Sequence, residues 1–101
     1  MDTDIAKLDA VEARLREVIK RIVRRHAASG RALSWSLMFD IEEEALALLN
    51  ADPALDARFV RMMIAPPTAA ARPAEGPVDM MHVDAMRTVL WMIQEAYYHG
   101  A

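Results

Sequence analysis

Two segments of this chain place apolar residues alternately three and four positions apart, and this spacing limits the fold more than any other feature. The first stripe consists of Leu8, Val11, Leu15, Val18 and Ile22, and the second of Val83, Met86, Leu90, Ile93 and Tyr97. Such a heptad pattern is typical of helices that pack along one seam against another helix. We therefore predict two long amphipathic helices, over about residues 4–29 and 79–98.

Two shorter helices are predicted between them. The first covers about residues 34–50, where Ser34 or Ser36 can cap the orphan backbone N–H groups. The second covers about residues 53–65, because Asp52-Pro53 joins a good N-cap to a residue that is favoured at the first helical position. Pro66-Pro67 would end this helix, since neither proline can donate a backbone hydrogen bond.

Residues 65–78 hold four of the five prolines and predict an extended or irregular linker before the last helix. The chain has 101 residues, a length that fits one domain, and 54% of them are hydrophobic, which is too many for a disordered protein. The fold prediction is therefore all-α: a small four-helix bundle over residues 1–101, with the first and last helices paired either within the bundle or across a dimer.

Several classes of site are not expected from this sequence. There is no cysteine, hence no disulfide, thiolate nucleophile or cysteine-bound metal. Neither His-x3-His nor Glu-x2-His spacing occurs, so no metal or cofactor is predicted. There is no run of about 18 apolar residues and no signal-peptide core, so we expect a cytoplasmic protein that does not enter a membrane. The abundance of alanine and arginine points to a bacterial or phage source.

The net charge of −3 is unevenly distributed along the chain. Residues 13–31 carry seven basic side chains and one glutamate, a net +6, whereas the remainder carries five basic and fourteen acidic side chains, a net −9. The basic side chains that lie away from the first apolar stripe are Arg14, Lys20, Arg21, Arg24 and Arg25. This basic face suits nucleic acid or an acidic protein, or it is simply a solvated helix surface. It lacks the interleaved aromatic residues that stack on unpaired bases.

Arg21 and His26 reproduce an Arg-x4-His spacing on an all-α chain. The spacing resembles the short motif of HEPN ribonucleases, in which an arginine and a histidine at a dimer interface cleave RNA. The resemblance covers six residues and implies a metal-independent ribonuclease. On a helical wheel, however, His26 falls on the apolar stripe and Arg21 faces outward.

Glu42 interrupts the apolar arc of the second helix. It follows Met38 by one turn and precedes Leu46 and Leu49 on the same side, whereas Glu43 and Glu44 fall toward the polar side. A carboxylate in such a place needs a cation or strong hydrogen-bond donors. A structural ion pair with Arg58, Arg87 or a histidine is favoured over a general base, because no second carboxylate lies in register with it.

The last helix has aromatic residues on the side opposite its apolar stripe. Trp91 and Tyr98 share that side with Met80 and Arg87, and Asp84, Gln94 and Glu95 form a polar rim around them. This composition is typical of protein–protein interfaces, although a helix buried on both sides would show it too. We predict a non-enzymatic interaction module, a small regulatory, inhibitor or adaptor subunit that binds an unidentified protein and forms a homo-oligomer. The alternatives are a nucleic-acid-binding protein that uses the basic face, and a HEPN-like ribonuclease.

Overall fold

The computed structural model describes residues 2–64, 76–79, 81 and 88–100. These residues form four helices: α1 (Asp2–Ala28), α2 (Trp35–Ala51), α3 (Ala57–Met63) and α4 (Thr88–His99). The only strand-like pairing among them is a single antiparallel bridge between Ser34 and Pro77. The prediction of a small all-α bundle is thus confirmed. No helix in the described ranges is long and apolar enough to cross a membrane.

Helix α1 ends in a Schellman turn built on Gly30. The Arg31 N–H donates to the His26 carbonyl at 3.3 Å, and the Gly30 N–H donates to the Ala27 carbonyl at 3.0 Å. Gly30 has a φ of +82°, a left-handed conformation that costs glycine little. The turn satisfies carbonyls that would otherwise be unpaired at the helix end, and it sends the chain toward α2.

Helix α2 begins where the sequence predicts, because Ser34 caps it. The Ser34 hydroxyl accepts a hydrogen bond from the Leu37 N–H at 3.2 Å. The Trp35 N–H, another donor without a partner inside the helix, bonds to the carbonyl of Gly76 at 3.4 Å. The start of α2 is therefore also the place where residues 76–79 pass across the bundle.

Helix α3 begins four residues later than the Asp52-Pro53 signal predicts. Asp52 instead follows the end of α2 and forms a turn, in which its carboxylate accepts from the Ala54 N–H at 2.9 Å and its carbonyl accepts from the Leu55 N–H at 3.2 Å. Proline also favours the second position of such a turn. The true N-cap is Asp56, whose carboxylate accepts from the Arg58 N–H at 2.9 Å.

The hydrophobic core forms around α1, which packs against each of the other three helices. Its buried residues are Val11, Leu15, Val18, Ile19, Ile22 and Val23. They include four of the five members of the predicted stripe, and the fifth, Leu8, is partly buried. In α2, Leu37 is fully buried, whereas Leu48 is 48% exposed.

Helix α4 supplies Val89, Leu90 and Ile93 to this core and packs on both α1 and α2. The predicted pairing of the first and last helices within the bundle is therefore observed. The predicted start of the last helix near Asp79, its stripe members Val83 and Met86, and most of the predicted linker lie outside the described residues.

Asp56 should make the stability of the bundle sensitive to acid. Hydrogen bonds from the Arg58 side chain and then from the Arg58 N–H lower the pKa of Asp56 from 3.8 to about 2. A depressed pKa stabilises the folded state above the unfolded pKa, and this contribution disappears as the pH falls from about 4 through 2. Asp56→Asn, which keeps a capping oxygen, should be less stable than the parent at pH 7, and this difference should shrink as the pH falls toward 2.

Urea denaturation at the two pH values measures this difference. Asp9→Asn removes a charge from an exposed position of α1 and serves as the control. An Asp56→Asn stability difference that is the same at both pH values would contradict the assignment.

Candidate interaction surface

The outward side of α4 carries the exposed aromatic residues that the sequence singles out. Trp91 is 42% exposed and Tyr98 is 60% exposed, although both are large aromatic side chains. Together with Gln94, Glu95 and His99 they line a cleft of about 140 Å³, which we call the α4 cleft. Gln94 and Glu95 lie three and four positions after Trp91, and Tyr98 and His99 lie one turn further on. The five residues therefore form a single face of the helix.

The core and one hydrogen bond hold this face in place. Val89, Leu90 and Ile93 anchor the opposite side of α4 in the core. The Tyr97 hydroxyl donates to the backbone carbonyl of Arg31, which ties the end of α4 to the turn after α1. Tyr98 packs edge-on against Tyr97, with ring centroids 5.5 Å apart. The aromatic face is thus presented on a fixed support.

Gln94 differs from its predicted place in the polar rim. It is only 6% exposed, and its Oε1 atom is buried without a hydrogen-bond partner. A buried acceptor without a donor destabilises a fold by about 1–3 kcal/mol. The sequence contains one hint of this burial, since Gln94 lies one turn after the buried Leu90 and directly after the buried Ile93.

A second cleft lies on the neighbouring side of α4. Its volume is about 230 Å³, and Arg16, Ile19 and Lys20 of α1 face Met92, Glu95, Ala96 and His99 of α4 across it. Glu95 and His99 line both clefts and so form the ridge between them. Two further members of the predicted partner-binding set, Met80 and Arg87, lie outside the described residues.

Acidic side chains occupy much of the predicted basic face of α1. Arg14 lies 3.2 Å from Asp52 and 3.4 Å from Glu17, and Arg21 bonds to the same Glu17 at 3.1 Å. These exposed pairs add little stability, but they place carboxylates beside the guanidinium groups.

The remaining members of the basic face differ from one another. Arg25 binds both carboxylate oxygens of Glu44 at 2.6 Å and so links α1 to α2. Arg24 also interacts with a neighbouring group and is not free. Lys20 makes no ion pair with any described residue. The five side chains therefore do not form an uninterrupted positive stripe.

The structure does not bring Arg21 and His26 together. Arg21 is paired with Glu17, whereas the His26 ring lies 3.4 Å from both Arg25 and Arg31. A joint site would need both side chains to face one substrate, and here they point to different sides of α1. The arginine–histidine pair that the HEPN resemblance implies is not assembled within this chain.

Glu42 is buried in α2, at 4% exposure. It takes part in a hydrogen-bonding or electrostatic interaction, as a carboxylate in that environment must. Arg58, one of the predicted partners of Glu42, binds Asp56 at 2.9 Å. No group of three or more acidic or histidine side chains in the described part of the chain is arranged to hold a metal ion.

The described helices define a small all-α bundle that displays an aromatic face on its last helix. The chain belongs to the family described as "Protein of unknown function (DUF2471)", whose family model matches residues 2–101. The comparisons of this chain with curated proteins and with solved structures found no match.

Glu42 and its neighbour Glu43 offer a matched test of the buried carboxylate. Glu42→Ala should lower the free energy of unfolding by about 3 kcal/mol or more. It removes a buried carboxylate and leaves the group that Glu42 contacts without this partner. Glu43→Ala, at an exposed position, should change it by less than about 0.5 kcal/mol. Equal and small effects in denaturant titrations would show that Glu42 has access to water.

Proposed function

We propose that the protein is a non-enzymatic interaction module that binds another protein through the outward side of α4. The supporting observation is the exposure of Trp91 and Tyr98 on a helix whose opposite side is fixed in the core. Neither side chain belongs to the core that the described residues form, which supports their use by a partner. A regulatory, inhibitor or adaptor subunit acting in the cytoplasm is the role that we infer.

The composition and rigidity of the face support this proposal. Interface residues that contribute most to affinity are enriched in tryptophan, tyrosine and arginine, and they lie within a polar rim. Trp91 and Tyr98 are such anchors, and Glu95 and His99 lie beside them. The support from Tyr97 restricts Tyr98 before binding, which reduces the ordering entropy that binding costs.

The basic face of α1 gives less support to nucleic-acid binding. A phosphate backbone would have to displace Glu17 from Arg14 and Arg21, and Glu44 from Arg25. Each displacement leaves a carboxylate near the phosphates and reduces the electrostatic gain that dominates such binding.

Truncation of the aromatic residues should abolish partner binding without unfolding the bundle. Trp91→Ala and Tyr98→Ala should each weaken binding by about 2 kcal/mol or more, because aromatic anchors at interface centres contribute that much. Leu48→Ala, which truncates an equally exposed apolar side chain on α2, should have no such effect.

The measurement compares proteins that copurify from the source cells, with nuclease treatment, and then titrates the one captured. A photo-crosslinking amino acid at position 99, which lines the α4 cleft beside Tyr98, should capture the same protein, and one at position 48 should not. Salt-sensitive binding of RNA or DNA that survives Trp91→Ala would contradict the proposal.

Self-association is expected as well when the partner protein is absent, since the free aromatic face then suits a second copy of the chain. Sedimentation equilibrium at micromolar concentrations should then show a dimer in the parent protein and a monomer in Trp91→Ala. A monomeric parent throughout that range would rule out the homo-oligomer and leave the face to a different protein.

A further inference from the structure

We propose that the α4 cleft receives the guanidinium group of an arginine side chain that a partner protein presents. The inference rests on the proposed function and adds the chemistry of the contact. A hydrogen-bond acceptor, a carboxylate and two aromatic faces line the same cleft, and a planar cation with several N–H donors is the group that uses all of them.

The acceptor is Gln94, which lines the cleft although it is 94% buried. Its Oε1 atom is the one buried side-chain polar atom among the described residues that has no hydrogen-bond partner. Because Gln94 lines the cleft, this oxygen is the acceptor that we assign to a donor bound there. A donor that enters the cleft and bonds to this oxygen would remove the free-energy penalty of an unpaired buried acceptor.

The charge comes from Glu95 and from the helix itself. Glu95 is exposed and lines the cleft beside Gln94, so its carboxylate lies within reach of the same bound group. The cleft also extends over the last turn of α4, where the helix dipole places partial negative charge. His99 is the one basic side chain among the cleft residues, and it is exposed at the helix end.

The aromatic faces favour a guanidinium over an ammonium. Trp91 and Tyr98 lie about two turns apart and both line the cleft, and tryptophan is the side chain on which cations stack best. A guanidinium stacks as a flat group and still donates in its own plane to an amide oxygen and a carboxylate. Lysine offers a compact and strongly hydrated charge that cannot do both. A cleft of about 140 Å³ has room for one such side chain.

Another protein, rather than a second copy, is the source to which we commit. Most described arginines of this chain are already engaged, among them Arg14, Arg21, Arg25, Arg31 and Arg58. Arg24 interacts as well. Arg61 of α3 is the exception, since it makes no ion pair or hydrogen bond with the described residues. Arg61→Ala therefore tests the second-copy alternative.

The experiment titrates the full chain with N-acetyl-arginine N-methylamide and follows it by NMR. The indole N–H of Trp91 and the side-chain amide of Gln94 should shift in a saturable way. The indole of Trp35, which is buried in the core, should not shift and serves as an internal control. N-acetyl-citrulline N-methylamide, which has nearly the same shape without the charge, and the lysine analogue should bind at least about tenfold more weakly.

Two variants test the assigned groups. Glu95→Gln and Gln94→Leu should each weaken arginine binding about fivefold or more, whereas Glu43→Gln on α2 should leave it unchanged. Gln94→Leu replaces an amide that has an unpaired oxygen by an apolar group, so it should keep the bundle folded.

Each outcome decides one point. Equal binding of the arginine and citrulline probes, or no shift at Trp91, overturns the guanidinium assignment. Tighter binding of free arginine than of the blocked probe would assign the cleft to the amino acid itself and would overturn a protein source. Loss of self-association in Arg61→Ala would assign the α4 cleft to a second copy of the chain and would overturn a different protein as the source. A partner whose binding depends on Trp91 but not on an arginine would leave the proposed function standing without this inference.

Discussion

The burial of one side of α1 is the interaction on which the rest of the bundle depends. α1 contacts each of the other three helices, and Val11 and Leu15 are completely excluded from solvent. Each such side chain contributes about 1.5–3 kcal/mol through its removal from water. Because α2, α3 and α4 all pack on the apolar side of α1, that side fixes where they lie. The orientation of the aromatic face of α4 follows from that packing.

The periodicity of apolar residues predicted the class of fold, and the capping serines predicted the start of α2, since both depend on local patterns. The predicted start of α3 was wrong because Asp52-Pro53 also suits a turn. In the structure Asp52 forms that turn, and Asp56 caps the helix. The burial of Gln94 could not be predicted, because it depends on how closely α4 approaches its neighbours. The aromatic residues of the candidate surface were found because two large side chains lay opposite a clear apolar stripe.

Charge is the property for which the sequence was least informative. A count along the chain assigns strong positive charge to the second half of α1, but it cannot say which acids fold back onto it. Glu17 lies on the same helix, whereas Asp52 and Glu44 come from α2 and its end. The tertiary structure thus converts a segment that looks like an open electrostatic surface into a set of cross-links between elements. The same positions hold elements together and reduce the attraction for polyanions.

The bond between the Tyr97 hydroxyl and the Arg31 carbonyl joins positions 66 residues apart in the chain. Arg31 belongs to the short turn between α1 and α2, and turns of that kind are normally the places where a bundle accepts inserted residues. Here the same turn supports the end of the last helix and, through Tyr97, the ring of Tyr98. Lengthening this turn would release the support while leaving every residue of the aromatic face unchanged. The length of the turn between α1 and α2, although this turn is far from α4 in sequence, therefore helps to determine how the aromatic face of α4 is held.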